Sequence, residues 1–183
     1  MNVYFDTEFT GLHKDTTLIS IGLVADNGRK FYAEFTDYDK SQCDDWIKTN
    51  VLDNLLLHLS GIYPEDEKQV ITIGTKDYIK EKLKSWLESF KEDIQLVSDC
   101  CHYDMVLFID LFDSAFNIPE CVSPVCYDIN IDIANKICDG DHKCAFNLSR
   151  EYILKDNGVF IEGDKHNSLY DAKVIKEIYK LLH

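Results

Sequence analysis

Three β-strand patterns follow one another in the first 36 residues, and this succession restricts the fold more than any other feature of the sequence. The first pattern covers Asn2–Phe9. The second, 17-TLISIGLVA-25, is so continuously apolar that it indicates a strand buried on both faces. The third, 29-RKFYAEFT-36, alternates large apolar with polar residues. A 26-DNG-28 turn before it is typical of a two-residue hairpin. We therefore expect the chain to begin as a three-stranded antiparallel meander.

The remainder of the chain is dominated by helical patterns. Helices are predicted over residues 44–59, 78–90, 103–116 and 171–182. Short strands are predicted over residues 94–98 and, more weakly, near 125–131, and an exposed loop over 64-PEDEKQ-69. An antiparallel start followed by strands that alternate with helices predicts an α/β fold, with three α/β/α layers around a mixed sheet. We expect residues 1–183 to form a single domain, because a chain of this length can bury one sizeable core.

Composition restricts the surroundings in which the chain can work. No apolar run reaches the roughly 18 residues that a membrane span needs, and no basic leader precedes an apolar stretch. We therefore expect a soluble cytoplasmic protein without a membrane partner. The net charge of −14 would repel a polyanion, so any contact with nucleic acid should be weak, sensitive to salt and limited to a few nucleotides.

The seven cysteines predict reduced thiols rather than a disulfide framework, because their number is odd and two of them, Cys100 and Cys101, are adjacent. The segment 138-CDGDHKC-144 contains three zinc-type ligands, Cys138, His142 and Cys144. Their spacing matches no common paired-ligand pattern. We therefore expect ordinary loop and core residues there.

Two carboxylates, Asp6 and Glu8, interrupt the first apolar strand. Because side chains alternate along a strand, both should lie on one face, with Phe5, Thr7 and Phe9 on the other. Buried carboxylates need a cation, a hydrogen-bond network or an open site. Hard oxygen ligands of this kind suit Mg²⁺ or Mn²⁺. Acidic pairs also arise by chance among 33 acidic residues, so this pair alone is weak support for a metal site.

Two further acidic positions stand at helix starts. Asp104 follows a predicted buried strand, whose end should face a crevice of the sheet. The alternative is that Asp104, or Asp99 as the cap, only stabilises the start of the helix. His166 precedes the last helix, and Asp171 lies five residues further on. Here the structural alternative is a capping box formed by Ser168 and Asp171.

Taken in order, Asp6-x-Glu8, Tyr103-Asp104 and His166-x₄-Asp171 resemble the motifs of the DEDDh class of 3′–5′ exonucleases, the DnaQ-like branch of the ribonuclease-H-like superfamily. The stretch 6-DTEFTGL-12 looks like the first motif of that class, and 19-ISIG-22 fits its second strand. Residues 18–39 and 45–52 are similar to the small mycobacterial-type 3′–5′ exoribonuclease family. The chain departs from the wider class at Phe9, where threonine is usual, and it lacks the common asparagine upstream of Asp104.

The resemblance implies a ribonuclease-H-like fold and a metal-dependent 3′–5′ exoribonuclease that acts on the 3′ end of single-stranded or 3′-overhang RNA. It implies two Mg²⁺ or Mn²⁺ ions and, less specifically, a homodimer. The implied metal ligands are Asp6, Glu8, Asp104 and Asp171, which are also catalytic residues together with His166 as the general base.

Residues beside the first motif are expected to contact the substrate: Thr7, Phe9, Gly11 and Leu12. Phe9 and Leu12 could stack on the terminal base, although simple core packing is the alternative for both. Three lysines close to the motifs could line the path of the strand: Lys14, Lys165 and Lys173. Two other functions stay open, an exonuclease acting on DNA or short oligonucleotides, and a catalytically silent module that binds nucleic acid or a partner protein.

Overall fold

A mixed six-stranded sheet lies at the centre of the structure, a computed structural model that describes residues 1–57 and 68–183. The strands run in the spatial order β4-β3-β2-β1-β5-β6. β1 pairs antiparallel with β2, and β2 with β3, whereas the other neighbours are parallel. The strands are β1 (Asn2–Phe9), β2 (Leu18–Ala25), β3 (Lys30–Phe35), β4 (Gln69–Gly74), β5 (Gln95–Ser98) and β6 (Tyr127–Asp128).

The α-helices with described bounds are α1 (Asp45–Asn50), α2 (Lys76–Glu88), α3 (Cys101–Leu111), α4 (Asn130–Lys136), α5 (His142–Asn147), α6 (Arg150–Asp156) and α7 (Ser168–Leu182). Short 3₁₀ turns cover Lys40–Gln42, Leu52–Asn54 and Ala115–Asn117. Between residues 1 and 57 and between 68 and 183, we find no helix that is both long and apolar enough to span a bilayer.

The predicted meander is confirmed, with one change at its second turn. Ala25 N–H donates to the carbonyl of Arg29 (2.9 Å), so the hairpin between β2 and β3 closes over three residues rather than two. The last of the three, Gly28, has a φ of +87°, a left-handed conformation that glycine adopts without steric cost.

The predicted three layers are also confirmed. Side chains of β1, β2 and β3 on one face of the sheet form a core with α2 and α3, including Phe5, Leu83 and Phe108. On the opposite face, Tyr4 of β1 packs with residues of α4, α6 and α7. The buried β2 pattern is borne out, since every residue from Leu18 to Ala25 is buried.

Gly22 of β2 lets the start of α7 approach the sheet. A Cβ atom at Gly22 would lie 2.3 Å from the backbone nitrogen of Leu169, closer than two packed atoms can come. Gly22 is also the strand partner of Asp6. The close approach therefore positions the first turn of α7 beside the acidic face of β1.

Several predicted boundaries are wrong for local reasons. The helix expected over 103–116 ends at Leu111, and the left-handed Asp113 (φ 63°) follows it. The strand expected near 125–131 is only two residues long, because the Asp128 side chain accepts from Asn130 N–H (2.8 Å) and turns the chain into α4. In the predicted 44–59 helix, α1 ends at Asn50 and a 3₁₀ turn follows, while residues 58 and 59 lie outside the described residues.

β4 was not predicted from the sequence. Its first residue, Gln69, is also the last residue of the predicted loop 64–69. Residues 64–67 of that loop lie outside the described part of the chain. β4 is an edge strand that forms only through parallel pairing with β3, about 40 residues earlier, and such long-range pairing is invisible in a local pattern.

The expectation of reduced thiols is wrong for two cysteines. Cys138, two residues after the end of α4, forms a disulfide with Cys144 of α5, and their Cα atoms are 6.0 Å apart. The chain reverses between them through Asp139 (φ 51°) and Gly140 (φ 86°), and this reversal brings the two sulfurs together. The other five cysteines carry free thiols.

Candidate active site

Two helices from opposite faces of the sheet meet at the carboxyl end of β1. Asp6 and Glu8 lie on the face of β1 that packs against α7, and Asp171 lies in the first turn of that helix. Asp104 comes from the first turn of α3, which packs against the other face. The structure thus brings together all four carboxylates that the sequence motifs predict, and they line one cleft with a volume of about 380 Å³.

Asp104 is held by hydrogen bonds from two strands. Thr7 of β1 donates both its backbone N–H (3.1 Å) and its hydroxyl (2.6 Å) to Asp104 Oδ1. Ser98, the last residue of β5, donates its hydroxyl to Oδ2. The carboxylate is only 1% exposed, so these bonds determine its orientation. Asp99 does not cap α3, because its carboxylate pairs with Arg150 instead.

Asp171 is tied to the backbone of His166. His166 N–H donates to Asp171 Oδ2 (2.9 Å), and His166 itself has a left-handed φ of 62°. One ligand atom each from Glu8, His166 and Asp171 lies within 4.8 Å of the others. The structural alternative, a capping box formed by Ser168 and Asp171, is wrong, because the side chain of Asn167 caps α7 by accepting from Tyr170 N–H.

The four carboxylates titrate abnormally because they are crowded and buried. Burial, followed by repulsion from Asp104 and Asp171, raises the pKa of Asp6 well above its usual range. Burial and repulsion from Asp171 also raise the pKa of Glu8 well above its usual range. Burial raises the pKa of Asp104 to about 7 even though hydrogen bonds from Ser98 and Thr7 lower it. Burial and repulsion from Asp99 raise the pKa of Asp171 to about 8, against the lowering effect of the His166 N–H.

The surroundings of His166 favour the neutral form of its imidazole. Burial and the nearby Lys165 lower the pKa of His166 below its ordinary value. The edge of its imidazole contacts the indole of Trp46 on α1, with ring centroids 5.0 Å apart. A neutral imidazole in an open cleft can accept a proton at one ring nitrogen.

The residues expected to contact the substrate lie along one side of the cleft. Thr7 and Phe9 line it, although the Thr7 hydroxyl is already bonded to Asp104. Phe9 also lines a neighbouring hollow of about 270 Å³ together with Gly11 and Leu12, whose side chain is 75% exposed.

The three lysines expected along the strand's path separate in the structure. Lys165 lines the cleft. Lys14 pairs with Asp15 at the surface, and Lys173 lines a different cleft with Lys30 and Lys176. Of the three, only Lys165 is thus placed at the acidic centre.

Sequence reasoning missed an ion pair in the wall of the cleft. Arg150 of α6 donates from Nε to Asp99 Oδ2 (2.8 Å), and its other nitrogens donate to the carbonyls of Ala145 and Leu148 and to Asn130 Oδ1. This network holds the α5–α6 connection, which lines the cleft. No spacing signal links residues 51 positions apart, so only the fold could show the pair.

Comparison with solved structures defines the class of the fold. The nuclease domain of 3′hExo, a DEDDh family member bound to rAMP, matches with a TM-score of 0.64 at 14% identity, over 97% of this chain and 88% of that one. Pop2p of S. pombe, in a form with Mg²⁺ and Mn²⁺ bound, matches with a TM-score of 0.54 at 17% identity, over 97% and 81%. The chain has the ribonuclease-H-like fold of DEDDh nuclease domains.

Sequence comparison places the chain within that class. Residues 1–182 match the family model of the 3′-5′ exoribonuclease Rv2179c-like domain, and the chain belongs to this family. Two similar relatives are the 3′-5′ exoribonucleases Rv2179c and MT2234.1 of Mycobacterium tuberculosis, from strains ATCC 25618 / H37Rv and CDC 1551 / Oshkosh. Each is 42% identical over 80 residues, which is 44% of this chain and 46% of the relative, so the match spans about half of their length.

Proposed function

We propose that the protein is a metal-dependent 3′–5′ exoribonuclease that releases nucleotides from the 3′ end of single-stranded or 3′-overhang RNA. The observation that carries the proposal is the convergence of four carboxylates with raised pKa values and a neutral histidine on one cleft. A group of acids that repel one another costs folding stability, and such costs are typical of functional sites.

The donor set fits a divalent cation. Asp6 Oδ2 is buried and has no hydrogen-bond partner among the described residues, a costly state that a cation would relieve. All four side chains offer carboxylate oxygens, the ligand type that Mg²⁺ and Mn²⁺ prefer. Asp6, Glu8, Asp104 and Asp171 would hold the metal, as two ions of Mg²⁺ or Mn²⁺. Bound there, the metal would supply positive charge for the phosphate and the attacking oxygen.

The chain's own residues supply the remaining chemistry. His166, neutral near pH 7, takes a proton from the attacking water at a ring nitrogen. The water oxygen bonds to the terminal phosphorus while the bond to the 3′ oxygen of the preceding nucleotide breaks. That 3′ oxygen takes a proton from solvent, which gives a nucleoside 5′-monophosphate and a shortened chain with a 3′ hydroxyl. Phe9, Gly11 and Leu12 would contact the terminal base, which is supported by their position in the cleft and in the hollow beside it. Thr7 would act by orienting Asp104.

Similarity to known exoribonucleases favours RNA as the substrate. The family description and the names of the two mycobacterial relatives specify exoribonuclease activity, and the 3′hExo domain was solved with the ribonucleotide rAMP. Action on DNA or short oligonucleotides is the second candidate, because the carboxylates and His166 act at the phosphate, which both polymers share. We also propose that residues 1–183 act as one nuclease domain, as a homodimer in the cytoplasm.

The test uses 5′-labelled single-stranded RNA, the same sequence as DNA, and a 3′-overhang RNA duplex, each with Mg²⁺, Mn²⁺ or EDTA. We expect a ladder shortened from the 3′ end in the presence of metal, fastest for RNA, and no product with Asp6→Asn. His166→Ala should lower kcat by about 10²–10⁴-fold but keep the rise in Tm that Mn²⁺ produces. Absence of product from all three substrates would overturn the proposal, and absence of any Mn²⁺-dependent rise in Tm would favour a catalytically silent module.

A further inference from the structure

The loop that carries His166 is held from the core side by hydrogen bonds that no sequence motif includes. We infer that Tyr32 and Asn167 are positioning residues that hold the His166 ring over the cleft. This inference rests on the proposed function, in which His166 accepts the proton of the attacking water. Neither Tyr32 nor Asn167 lines the cleft, so both would act through His166.

The side chain of Asn167 has two tasks. It is only 3% exposed, and its Oδ1 accepts from Tyr170 N–H (3.2 Å) as the cap of α7. Its Nδ2 donates to Tyr32 Oη (3.3 Å) and to the carbonyl of Asn54 (2.9 Å). One amide therefore connects the start of α7 to the central sheet and to the turn after α1.

Tyr32 is a rigid anchor for that amide. Its side chain is completely buried in β3, and its hydroxyl donates to Glu34 Oε1 (2.8 Å). Glu34 is 2% exposed, and the same oxygen accepts from Leu57 N–H (2.8 Å). Because the hydroxyl proton is directed to Glu34, the Tyr32 oxygen presents a lone pair to Asn167.

The residue before His166 is also held by a hydrogen bond. Asn54 Nδ2 donates to the carbonyl of Lys165 (2.9 Å), so the residues on both sides of His166 are fixed. Between them, His166 keeps a left-handed backbone with a φ of 62°. A residue other than glycine stays in that region only where its surroundings hold it there. If the ties are lost, the backbone can relax and the ring moves away from the cleft.

Loss of position should reduce the rate of the chemical step rather than substrate affinity. A proton acceptor must lie within hydrogen-bond reach of the water, and a displacement of about 1 Å can cost roughly 100-fold in rate. The Tyr32 hydroxyl bonds to none of the four carboxylates, and Asp171 is positioned by α7 as well as by the His166 N–H. Binding of the metal should therefore survive removal of the hydroxyl.

The decisive variant is Tyr32→Phe, which removes one oxygen and leaves the ring. Its matched control is Tyr4→Phe: Tyr4 is also buried, and its hydroxyl donates to a carboxylate, Asp26 Oδ1 (2.8 Å), at the other end of the sheet. For Tyr32→Phe we expect kcat on single-stranded RNA to fall by about tenfold or more, with KM and the Mn²⁺-dependent rise in Tm unchanged. Tyr4→Phe should lower Tm but leave kcat at the wild-type value.

A second variant, Asn167→Ser, retains a good helix cap but loses the amide donor. It should reproduce the loss of kcat, and the double variant with Tyr32→Phe should be no slower than the slower single variant, because both remove the same contact. Asn167→Ser serves as the test on its own if Tyr32→Phe does not fold.

The outcomes separate the two proposals. Inactive wild-type protein refutes the proposed function. If the wild type is active, the positioning role is overturned by either of two results. One is an equal kcat for Tyr32→Phe and Tyr4→Phe, and the other is an equal kcat for Asn167→Ser and wild type. A loss of kcat accompanied by loss of the Mn²⁺ effect on Tm overturns it too, because the disturbance then lies at the metal ligands.

Discussion

Removing one charge from the acidic centre should stabilise the metal-free protein, and Asp171→Asn is the clearest case. The pKa of Asp171 is about 8 in the folded chain, against about 3.9 for an unperturbed aspartate. Above pH 4 the unfolded chain gives up this proton while the folded chain keeps it, so the stability of the wild type falls as the pH rises from about 4 to about 8. The asparagine oxygen can still accept from His166 N–H, so the substitution removes charge without removing that hydrogen bond.

The magnitude follows from linkage. The cost for one proton within this window is roughly 3 kcal/mol between pH 5 and pH 7. For a domain of this size, that corresponds to a Tm difference between Asp171→Asn and wild type that grows by about 5–10 °C over the two pH units. Thermal unfolding in EDTA at pH 5, 6 and 7 measures it. Mn²⁺ should then raise the Tm of the wild type far more than that of the variant.

Asp113→Asn is the matched control. Asp113 lies at the surface, and hydrogen bonds from Lys80 and Lys76 lower its pKa. The Tm difference between Asp113→Asn and wild type should therefore stay constant between pH 5 and pH 7. The reasoning is refuted if the Tm difference for Asp171→Asn does not grow with pH, or if wild type is the more stable protein at pH 7 in EDTA.

Two further substitutions test the supports of the site. Thr7→Val removes the hydroxyl donor of Asp104 and should weaken Mn²⁺ binding by about 10–100-fold in calorimetric titration, whereas unchanged affinity would show that the Thr7 N–H and Ser98 suffice. Arg150→Met leaves the partly buried Asp99 without its cation and should lower the free energy of unfolding by about 1.5–3 kcal/mol in urea titration at pH 7. An unchanged value would show that this pair contributes little to stability.

Local patterns were sufficient for the parts of the fold that depend on local chemistry. The alternation along Asn2–Phe9 predicts the strand and the common face of Asp6 and Glu8, because residues two apart on a strand must share a face. The order of the motifs along the chain predicts which acids converge, since the fold of the class brings those positions together. Boundaries failed where one hydrogen bond or one left-handed residue ends an element, as at Asp113 and Asp128.

The supports of the acidic centre come from contacts between distant segments, which no local pattern encodes. Thr7 and Asp104 are 97 residues apart, and Tyr32 and Asn167 are 135 apart. The pairing of β4 with β3, the Asp99–Arg150 ion pair and the contact of Trp46 with His166 are of the same kind. The amino-acid sequence thus specifies the reactive groups and their strand and helix positions, whereas folding selects their hydrogen-bond partners, because partner choice depends on which surfaces the packed layers bring within about 3 Å of each other.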